Sequence, residues 1–240
     1  MTSASRVAII TGASQGIGAR LVKGFRSIGY DIVANSRSIR QCAIADDARF
    51  VAVEGDISRP ETADDIVGTA LERFGRIDTL VNNAGLFIPK PFTEFSEAEF
   101  TTMIGVNVGG FFHLTQRVAD WMLRKGSGHI VNIASSLVAE QPVHRLPAAL
   151  TALTKGGMIA ASRALAIEFA DRGIRVNVVA PGATNTTMHA QENHAFLAGL
   201  HPIGRMAEPQ EIVDAVLYLE GAKCVTGEVL HVDGGAHAGR

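Results

Sequence analysis

The composition of this 240-residue chain indicates a folded globular protein, since 47% of its residues are hydrophobic, 19% are charged and 25 are glycine. Lys and Arg number 22 against 24 Asp and Glu, so the net charge of −2 offers no basic surface for nucleic acid. Cys42 and Cys224 are too few for a disulfide framework, and the opening MTSASRVAII lacks the pattern of a signal peptide. No apolar stretch approaches the roughly 18 residues of a membrane helix. We therefore expect a cytoplasmic protein without a membrane partner, folded as one domain over residues 1–240.

Short apolar runs alternate along the chain with longer segments of helical periodicity, which is the pattern of parallel β-α units. The runs predict strands at residues 7–10, 31–35, 50–54, 77–82, 129–133, 174–179 and 228–232. Helices are predicted at residues 19–28, 60–74, 149–170 and 209–221, together with a long helix from the capping box of Ser96 and Glu99 to about residue 125. The sequence therefore predicts an α/β fold, a doubly wound parallel sheet of about seven strands with helices on both faces.

A glycine-rich loop follows the first predicted strand and opens directly onto the first predicted helix. It spans residues 11–18, reads TGASQGIG and spaces its glycines as G-x-x-x-G-x-G. Glycine permits a tight turn, and the backbone N–H groups at a helix start attract phosphate. In a doubly wound sheet, ligands bind beyond the carboxyl ends of the strands, where this loop lies. The alternative is a glycine-rich turn without a ligand. We expect a dinucleotide phosphate site formed by Gly12, Ser14, Gln15, Gly16, Ile17 and Gly18.

The residues after the second predicted strand indicate which dinucleotide would bind. An acidic side chain about 20 residues beyond the glycine loop would hold the ribose 2′-hydroxyl of NAD. The segment here reads Asn35-Ser36-Arg37 instead. The Arg37 guanidinium suits a 2′-phosphate, and the Ser36 hydroxyl would not repel one. The segment therefore favours NADP(H) over NAD(H), unless Arg37 is an ordinary solvated surface arginine.

Further polar residues stand where the third and fourth predicted strands end. Asp56, followed by Ile57, is suited to accept a hydrogen bond from an adenine amino group. In the segment Asn82-Asn83-Ala84-Gly85, Asn82 with Gly85 is suited to line the cofactor's ribose and to allow backbone contact. Both segments are also what local turns favour. Together with the first loop, they fit one extended ligand.

These motifs occur in an order that resembles the short-chain dehydrogenase/reductase family over essentially the whole chain. They are TGASQGIG, the Asp56-Ile57 pair, NNAG, Asn107, Lys155 and the Pro181-Gly182 pair. The closing segment VTGEVLHVDGG is similar to that of members related to 3-oxoacyl-acyl-carrier-protein reductases. The resemblance implies a Rossmann-type fold, a nicotinamide cofactor, hydride transfer between an alcohol and a carbonyl, and a homo-oligomer, either a tetramer or a dimer. It also implies cofactor contacts from Asn83, Ala84, Gly85, Lys155, Pro181, Gly182, Thr184 and Thr186.

The resemblance departs from the family at one catalytic position. The family's set is Asn, Ser, Tyr and Lys, with the tyrosine four residues before the lysine on one helix. Asn107 and Lys155 match this set, but Thr151 occupies the tyrosine position. The only tyrosines, Tyr30 and Tyr218, are predicted at the second strand and in the last long helix, so neither can replace it.

The serine of the set is one of two neighbours that end the fifth predicted strand. Both lie slightly farther before Thr151 than the serine does in close relatives. We favour Ser136, which is the nearer of the two, and keep Ser135 open. A longer loop at residues 137–148 would absorb the difference. Asn107 is expected to interrupt its helix and to help place Lys155 through water, the alternative being a satisfied buried amide.

Thr151 changes the expected chemistry, because an aliphatic alcohol is a far weaker acid than a phenol. It is read either as a site residue or as a helix residue that fills space and hydrogen-bonds back to a carbonyl. His144, in a loop that should border the substrate, is the other candidate acid. Residues 187–206, which mix His189 with apolar side chains, are the expected substrate lid.

The sequence thus predicts an NADP(H)-dependent oxidoreductase that acts on a small or acyl-like carbonyl or its alcohol, with an altered proton-donor site and no metal. The alternative is a cofactor-binding family member that lost catalysis and serves as a regulatory or structural subunit. Small side chains along residues 148–161 also predict close packing between subunits, through this helix and the long helix before it.

Overall fold

Seven parallel strands form the central sheet of the computed structural model, which describes residues 5–41, 47–144 and 146–239 and so leaves out Cys42. They are β1 Val7–Thr11, β2 Asp31–Ser36, β3 Phe50–Glu54, β4 Thr79–Asn82, β5 Gly128–Ile133, β6 Ile174–Pro181 and β7 Val229–Val232. Their order is β3-β2-β1-β4-β5-β6-β7, and all neighbouring pairs are parallel. The order reverses between β1 and β4, which places a ligand crevice at the carboxyl ends of these strands.

Helices cover both faces of the sheet, which confirms the predicted doubly wound architecture. In the described part of the chain they are α1 Gly16–Ser27, α2 Pro60–Phe74, α3 Glu97–Ile104, α4 Gly110–Lys125, α5 Ser136–Ala139, α6 Ala149–Phe169, α7 His194–Ala198 and α8 Pro209–Gly221. Side chains alternate across a strand, so β1 directs Ala8 and Ile10 to one face and Val7 and Ile9 to the other. The first pair packs with α1 and α8, and the second packs with α2, α4 and the end of α6.

Local sequence sets several helix ends. The predicted capping box of Ser96 and Glu99 is present at the start of α3. Pro60 occupies the first turn of α2, where its missing N–H costs nothing. Gly75 ends α2 with a φ of 70°, and Gly126 ends α4 with a φ of 71°. This left-handed backbone conformation favours glycine, so both boundaries follow directly from the sequence.

The predicted long helix up to residue 125 is divided in the structure. A π-helical turn, Gly105–Gly109, separates α3 from α4, and Asn107 lies inside it. The two short helices α5 and α7 were not predicted, because four or five residues give too little periodic signal. Strand β4 begins later than predicted, and the Asp78 side chain just before it accepts hydrogen bonds from the Val7 backbone N–H at 2.8 Å and from Arg76.

A buried carboxylate links residues at the amino ends of the strands, opposite the glycine loop. Glu220, near the end of α8, accepts hydrogen bonds from Tyr30 Oη at 2.6 Å and Thr79 Oγ1 at 3.1 Å. His129 Nδ1 lies 2.6 Å from the same carboxylate. Asn177 donates through Nδ2 to His129 Nε2 at 3.1 Å. Because Nε2 accepts this bond, the His129 ring is neutral and donates its Nδ1 proton to Glu220.

Hydrogen-bond donors and positive charge compensate the buried negative charge of Glu220. Burial favours the neutral acid, but the hydrogen bonds from His129 and Tyr30 and the charge of Lys223 outweigh it and hold the pKa of Glu220 at about 2. Burial also lowers the pKa of His129, in keeping with its neutral ring. The Tyr30 hydroxyl is therefore hydrogen-bonded within this network, away from the carboxyl ends of the strands.

None of the helices in the described ranges is long and apolar enough to cross a membrane.

Candidate active site

One cleft of about 440 Å³ runs along the carboxyl ends of the strands. Ser135 and Thr151 line it, whereas Asn107 and Ser136 do not. It brings together loops from almost the whole length of the chain, as expected at the point where strand order reverses. With the exception of Asn82, every residue predicted to bind the cofactor lines it: Gly12, Ser14, Gln15, Gly16, Ile17, Gly18, Ser36, Arg37, Asp56, Ile57, Asn83, Ala84, Gly85, Lys155, Pro181, Gly182, Thr184 and Thr186.

The glycine loop is a compact turn that leads into α1. Gly12 has a φ of 64° and Gly16 a φ of 53°, and a Cβ atom on Gly18 would lie only 2.1 Å from the Gly12 carbonyl oxygen. Asn83 Nδ2 donates to Thr11 O at 2.8 Å and to Gly12 O at 3.3 Å, which ties the loop to the end of β4. The turn therefore needs glycine at these positions, and it directs the N–H groups of the first turn of α1 toward the cleft.

Asn82 and Asn83 take different directions although they are neighbours. The Asn82 side chain is buried inside the protein and donates to Thr115 Oγ1 at 2.9 Å and Asn132 Oδ1 at 2.8 Å. The expectation that Asn82 lines the ribose is therefore wrong, because side chains alternate along a strand. Asn83 lines the cleft.

One end of the cleft lies beyond β2 and β3 and is rich in charge. Arg37 is exposed there, next to Ser36, and Asp56 is partly buried. Burial opposes ionisation of Asp56, but hydrogen bonds from Ser58 and the charges of Arg37 and Arg59 outweigh it and lower its pKa. This end of the cleft thus offers an ionised acceptor beside an arginine.

Lys155 lies in the middle of α6 and is only 7% exposed. Its Nζ donates to the Ile133 carbonyl oxygen at 2.7 Å. Gly85 packs beside it, since a Cβ atom there would lie 3.0 Å from Nζ. Burial lowers the pKa of Lys155 to about 8. The ammonium is therefore held at the end of β5 with little room for a larger neighbour.

Thr151 lies one helical turn before Lys155, on the same face of α6. It is 3% exposed, and its Oγ1 has no hydrogen-bond partner among the described residues. The interpretation that Thr151 bonds back to a carbonyl is wrong, because its Oγ1 makes no such bond, whereas Thr154 donates to Thr151 O at 3.1 Å. A buried hydroxyl without a partner costs roughly 1–3 kcal/mol, so Thr151 Oγ1 is suited to bind a ligand in the cleft.

The two serines at the end of β5 differ in their access to the cleft. Ser135 lines it and is partly exposed, whereas Ser136 is fully buried. Ser136 Oγ donates to the Pro181 carbonyl oxygen at 3.3 Å and hydrogen-bonds Asp233. Helix α5 begins at Ser136 and turns this side chain into the protein. The structure thus places Ser135, rather than the favoured Ser136, at the cleft.

Asn107 is buried in the π-helical turn and has a full set of partners. Its Nδ2 donates to Leu86 O at 3.0 Å and Thr154 Oγ1 at 3.1 Å, and its Oδ1 accepts from Leu86 N at 2.8 Å. It therefore fastens the chain after Gly85 to the helix that carries Lys155. This matches the satisfied buried amide that the sequence left open, and it also fixes the surroundings of the lysine.

Two other candidate acids, His144 and Tyr218, do not line the cleft. The loop that carries His144 borders the cleft through Leu137, Val138 and Leu146, but His144 itself is exposed and does not line the cleft. Tyr218 is exposed on α8, far from the cleft lining. His189 does line the cleft, at the start of the predicted lid. No catalytic role was predicted for His189, because no spacing rule links this residue to Lys155.

The part of the cleft around Thr151 has mostly apolar walls. Apart from the side chains already named, it is lined by Phe87, Leu137, Val138, Leu146, Met188 and Leu197. Several of these belong to one apolar cluster that joins the loop after Ser135 to the segment before α8. Among the described residues, no group of three His, Cys, Asp or Glu side chains is arranged to hold a metal ion.

Comparison with known proteins identifies the class. A family model described as enoyl-(acyl carrier protein) reductase matches residues 12–237. The 3β-hydroxysteroid dehydrogenase 1 of Eggerthella lenta is 36% identical over 250 residues, covering 96% of this chain and 93% of that protein. The 3-oxoacyl-acyl-carrier-protein reductase of Vibrio cholerae is 32% identical, with 99% of each chain covered.

Solved structures agree. A 3-ketoacyl-(acyl-carrier-protein) reductase from Brucella melitensis, complexed with NADH, superposes with a TM-score of 0.88 at 32% identity, covering 98% of this chain and 100% of that one. A tyrosine-to-phenylalanine variant of ElxO with NADPH bound gives a TM-score of 0.89 at 27% identity, with the same coverage.

The chain therefore belongs to the short-chain dehydrogenase/reductase family. It is an oxidoreductase of CH–OH and C=O groups with a site for a nicotinamide cofactor.

Proposed function

We propose that this chain is an NADP(H)-dependent oxidoreductase that interconverts an uncharged carbonyl compound and its alcohol, with residues 1–240 acting as one unit. The observation that carries the proposal is the continuous cleft that runs from Arg37, past the glycine loop, to Lys155 and Thr151. Turnover of purified protein with NADPH and a panel of ketones, or with NADP⁺ and the matching alcohols, tests it. We also expect a cytoplasmic location, as the sequence suggests.

The cleft fits a nicotinamide dinucleotide. The tight turn at Gly12 and Gly16 directs N–H groups of α1 at a pyrophosphate, and Asp56 accepts a hydrogen bond from adenine. Thr186 is suited to contact the carboxamide, and a Cβ atom on Gly16 would meet its methyl group at 3.4 Å. When bound, this cofactor supplies or accepts a hydride. Every other part of the reaction must come from the chain and its substrate.

The site divides the remaining tasks among few side chains. Lys155 holds the cofactor ribose and contributes positive charge, and Asn107 acts as a positioning residue through Leu86 and Thr154. Ser135, at the end of β5, and Thr151, one helical turn before Lys155, present hydroxyls to the cleft, so we assign them to the substrate oxygen. This assignment replaces Ser136, whose hydroxyl is used inside the protein.

The apolar walls around Thr151 define the class of substrate. Burying apolar surface contributes roughly 25 cal/mol per Å², so these walls favour a hydrocarbon body beside the carbonyl. Among the described residues of this part of the cleft, the side chains that can carry positive charge are Lys155, which we place at the cofactor, and His189, whose pKa is lowered by burial, so neither offers a permanent partner for a carboxylate or phosphate of the substrate. An uncharged ketone with an apolar body, or the matching secondary alcohol, is the best fit.

Cofactor choice is expected to depend on Arg37. NADPH should bind about tenfold to a hundredfold more tightly than NADH, because pairing of an arginine with a phosphate contributes roughly 1.5–3 kcal/mol. Arg37→Ala should remove this preference and leave NADH affinity unchanged. Calorimetric titration of both cofactors measures it. Arg40→Ala is the matched control, since Arg40 is exposed nearby but does not line the cleft. Equal affinities in the native chain would contradict the role given to Arg37.

We further propose that the chain self-associates through α4 and α6. Phe112 on α4 is 52% exposed and Leu153 on α6 is 60% exposed, although both helices cover the same face of the sheet. Exposed apolar side chains grouped on one face mark an interface. Light scattering should give a dimer or tetramer mass, and Phe112→Glu with Leu153→Glu should shift it toward the monomer. Ile28→Glu, at the exposed residue that follows α1, should not. A monomer mass at micromolar concentration would exclude this interface.

A further inference from the structure

A family member without the catalytic tyrosine still needs a group that exchanges the substrate proton. Among the described residues that line the cleft, the titratable side chains are Arg37, Asp56, Lys155 and His189. Arg37 and Asp56 lie together beyond β2 and β3, where their charges interact. Proton exchange beside Thr151 is therefore left to Lys155 or His189.

Lys155 is poorly suited to this task by itself. Its Nζ is held by the Ile133 carbonyl oxygen at 2.7 Å and packs against Gly85. The Thr151 hydroxyl faces the cleft without a partner, so it can receive the substrate oxygen or a water molecule. A threonine is much smaller than a tyrosine, and the shorter side chain leaves room beside the substrate oxygen for a donor that comes from another segment.

In the predicted lid, residues 187–206, His189 is the titratable residue that lines the cleft. Its backbone N–H donates to Thr186 O at 3.1 Å, and His194 Nε2 lies 3.4 Å from the His189 carbonyl oxygen, so a turn fixes its backbone. Farther along, Leu197 packs in one apolar cluster with Leu137, in the loop that follows Ser135. The segment therefore lies against the substrate part of the cleft, and its histidine lines the cleft.

We propose that His189 exchanges the substrate proton in this chain, directly or through a water molecule held by Thr151, in place of the missing tyrosine. The proposal rests on the proposed function. In alcohol oxidation, the substrate C–H bond breaks and its electron pair leaves as hydride to the oxidised nicotinamide. The O–H electron pair becomes the second bond of the carbonyl, and the proton passes to the neutral imidazole. Reduction of the ketone reverses both transfers and needs the imidazolium.

The pH dependence follows from the surroundings of the ring. Burial, and to a lesser extent the nearby His194, lowers the pKa of His189 below 6.5. Lys155 is the other titratable group in this part of the cleft, with a pKa of about 8. Ketone reduction through His189 should therefore fall as the pH rises through a midpoint below 6.5, and alcohol oxidation should rise. Reduction through Lys155 alone would persist to about pH 8.

Single-turnover oxidation of NADPH by an activated uncharged aryl ketone, ethyl benzoylformate, tests the proposal across this pH range. His189→Gln should lower the rate at acid pH about 10²-fold and remove the midpoint, since this is the lower range for a positioned acid. His144→Gln is the matched control and should leave the profile unchanged. In a Thr151→Tyr background, where the phenol provides the proton, His189→Gln should cost less than about threefold.

Nuclear magnetic resonance provides a second readout that does not depend on turnover. The imidazole signal lost in His189→Gln should titrate in the native protein at the kinetic midpoint. An unchanged rate profile in His189→Gln, or a titration midpoint away from the kinetic one, would overturn the role of His189. In an active native protein, either result would leave the proposed function standing. A native chain that is inactive while Thr151→Tyr turns over would contradict both the role of His189 and the activity proposed for the native chain. No hydride transfer in either protein would contradict the proposed function itself.

Discussion

Thr151→Tyr is expected to raise the rate of hydride transfer to an activated ketone about 10- to 100-fold. A positioned general acid contributes about 10²–10⁴-fold, and His189 already supplies part of this in our account. The new phenol would lie one turn before Lys155, whose ammonium lowers a phenol pKa toward neutrality. Single-turnover kinetics with bound NADPH measures the chemical step without product release.

Thr151→Phe is the matched control for this gain. It adds the same ring without the hydroxyl, so it separates proton donation from the filling of space. We expect no gain from phenylalanine and little change in cofactor affinity in either variant. Equal rates in the tyrosine and phenylalanine variants would show that position 151 does not receive the substrate oxygen.

Glu220→Ala is expected to lower the free energy of unfolding by about 3–5 kcal/mol, the usual cost of removing one partner from a buried charged network. The substitution would leave Tyr30 Oη, Thr79 Oγ1 and the neutral His129 ring without their acceptor. Urea denaturation monitored by circular dichroism measures the change. The cleft lies at the other end of the strands, so cofactor affinity should stay the same.

The effect of Glu220 should depend on pH in a defined direction. Its pKa is lowered from 4.5 to about 2, so its contribution is complete above pH 4.5 and is lost as the pH falls toward 2. The difference between the native chain and Glu220→Ala should narrow over that interval. Glu72→Ala, on the exposed side of α2, is the control and should change stability by less than about 0.5 kcal/mol. A similar small effect for Glu220→Ala would mean that the network does not stabilise the sheet.

Much of the fold was predictable because its determinants are local. Unbroken apolar runs mark strands that are buried on both faces, and Gly75 and Gly126 mark helix ends where φ is positive. The cofactor end of the cleft was predictable for the same reason. The glycine loop directly follows β1, and the other residues at this end directly follow β2 and β3. Each therefore lies within a few residues of a strand that the sequence predicts.

The substrate end was harder to predict because its geometry depends on distant segments. Spacing alone could not tell Ser135 from Ser136, since the choice depends on where α5 begins. His144 and His189 are both loop histidines in the sequence, and only packing against the cluster of Leu137 and Leu197 brings the second one to the cleft. The role of Glu220 was equally hidden, because its three hydrogen-bond partners come from separate parts of the chain.

The most direct test of the proposed function is to mix the purified native protein, saturated with NADPH, with excess ethyl benzoylformate in a stopped-flow instrument at acid pH. We predict loss of the nicotinamide absorbance, with one equivalent of the hydroxy ester formed per NADPH oxidised. Tight binding of NADPH without any oxidation, in both the native chain and Thr151→Tyr, would contradict it. That result would instead identify a cofactor-binding subunit that has lost its catalytic function.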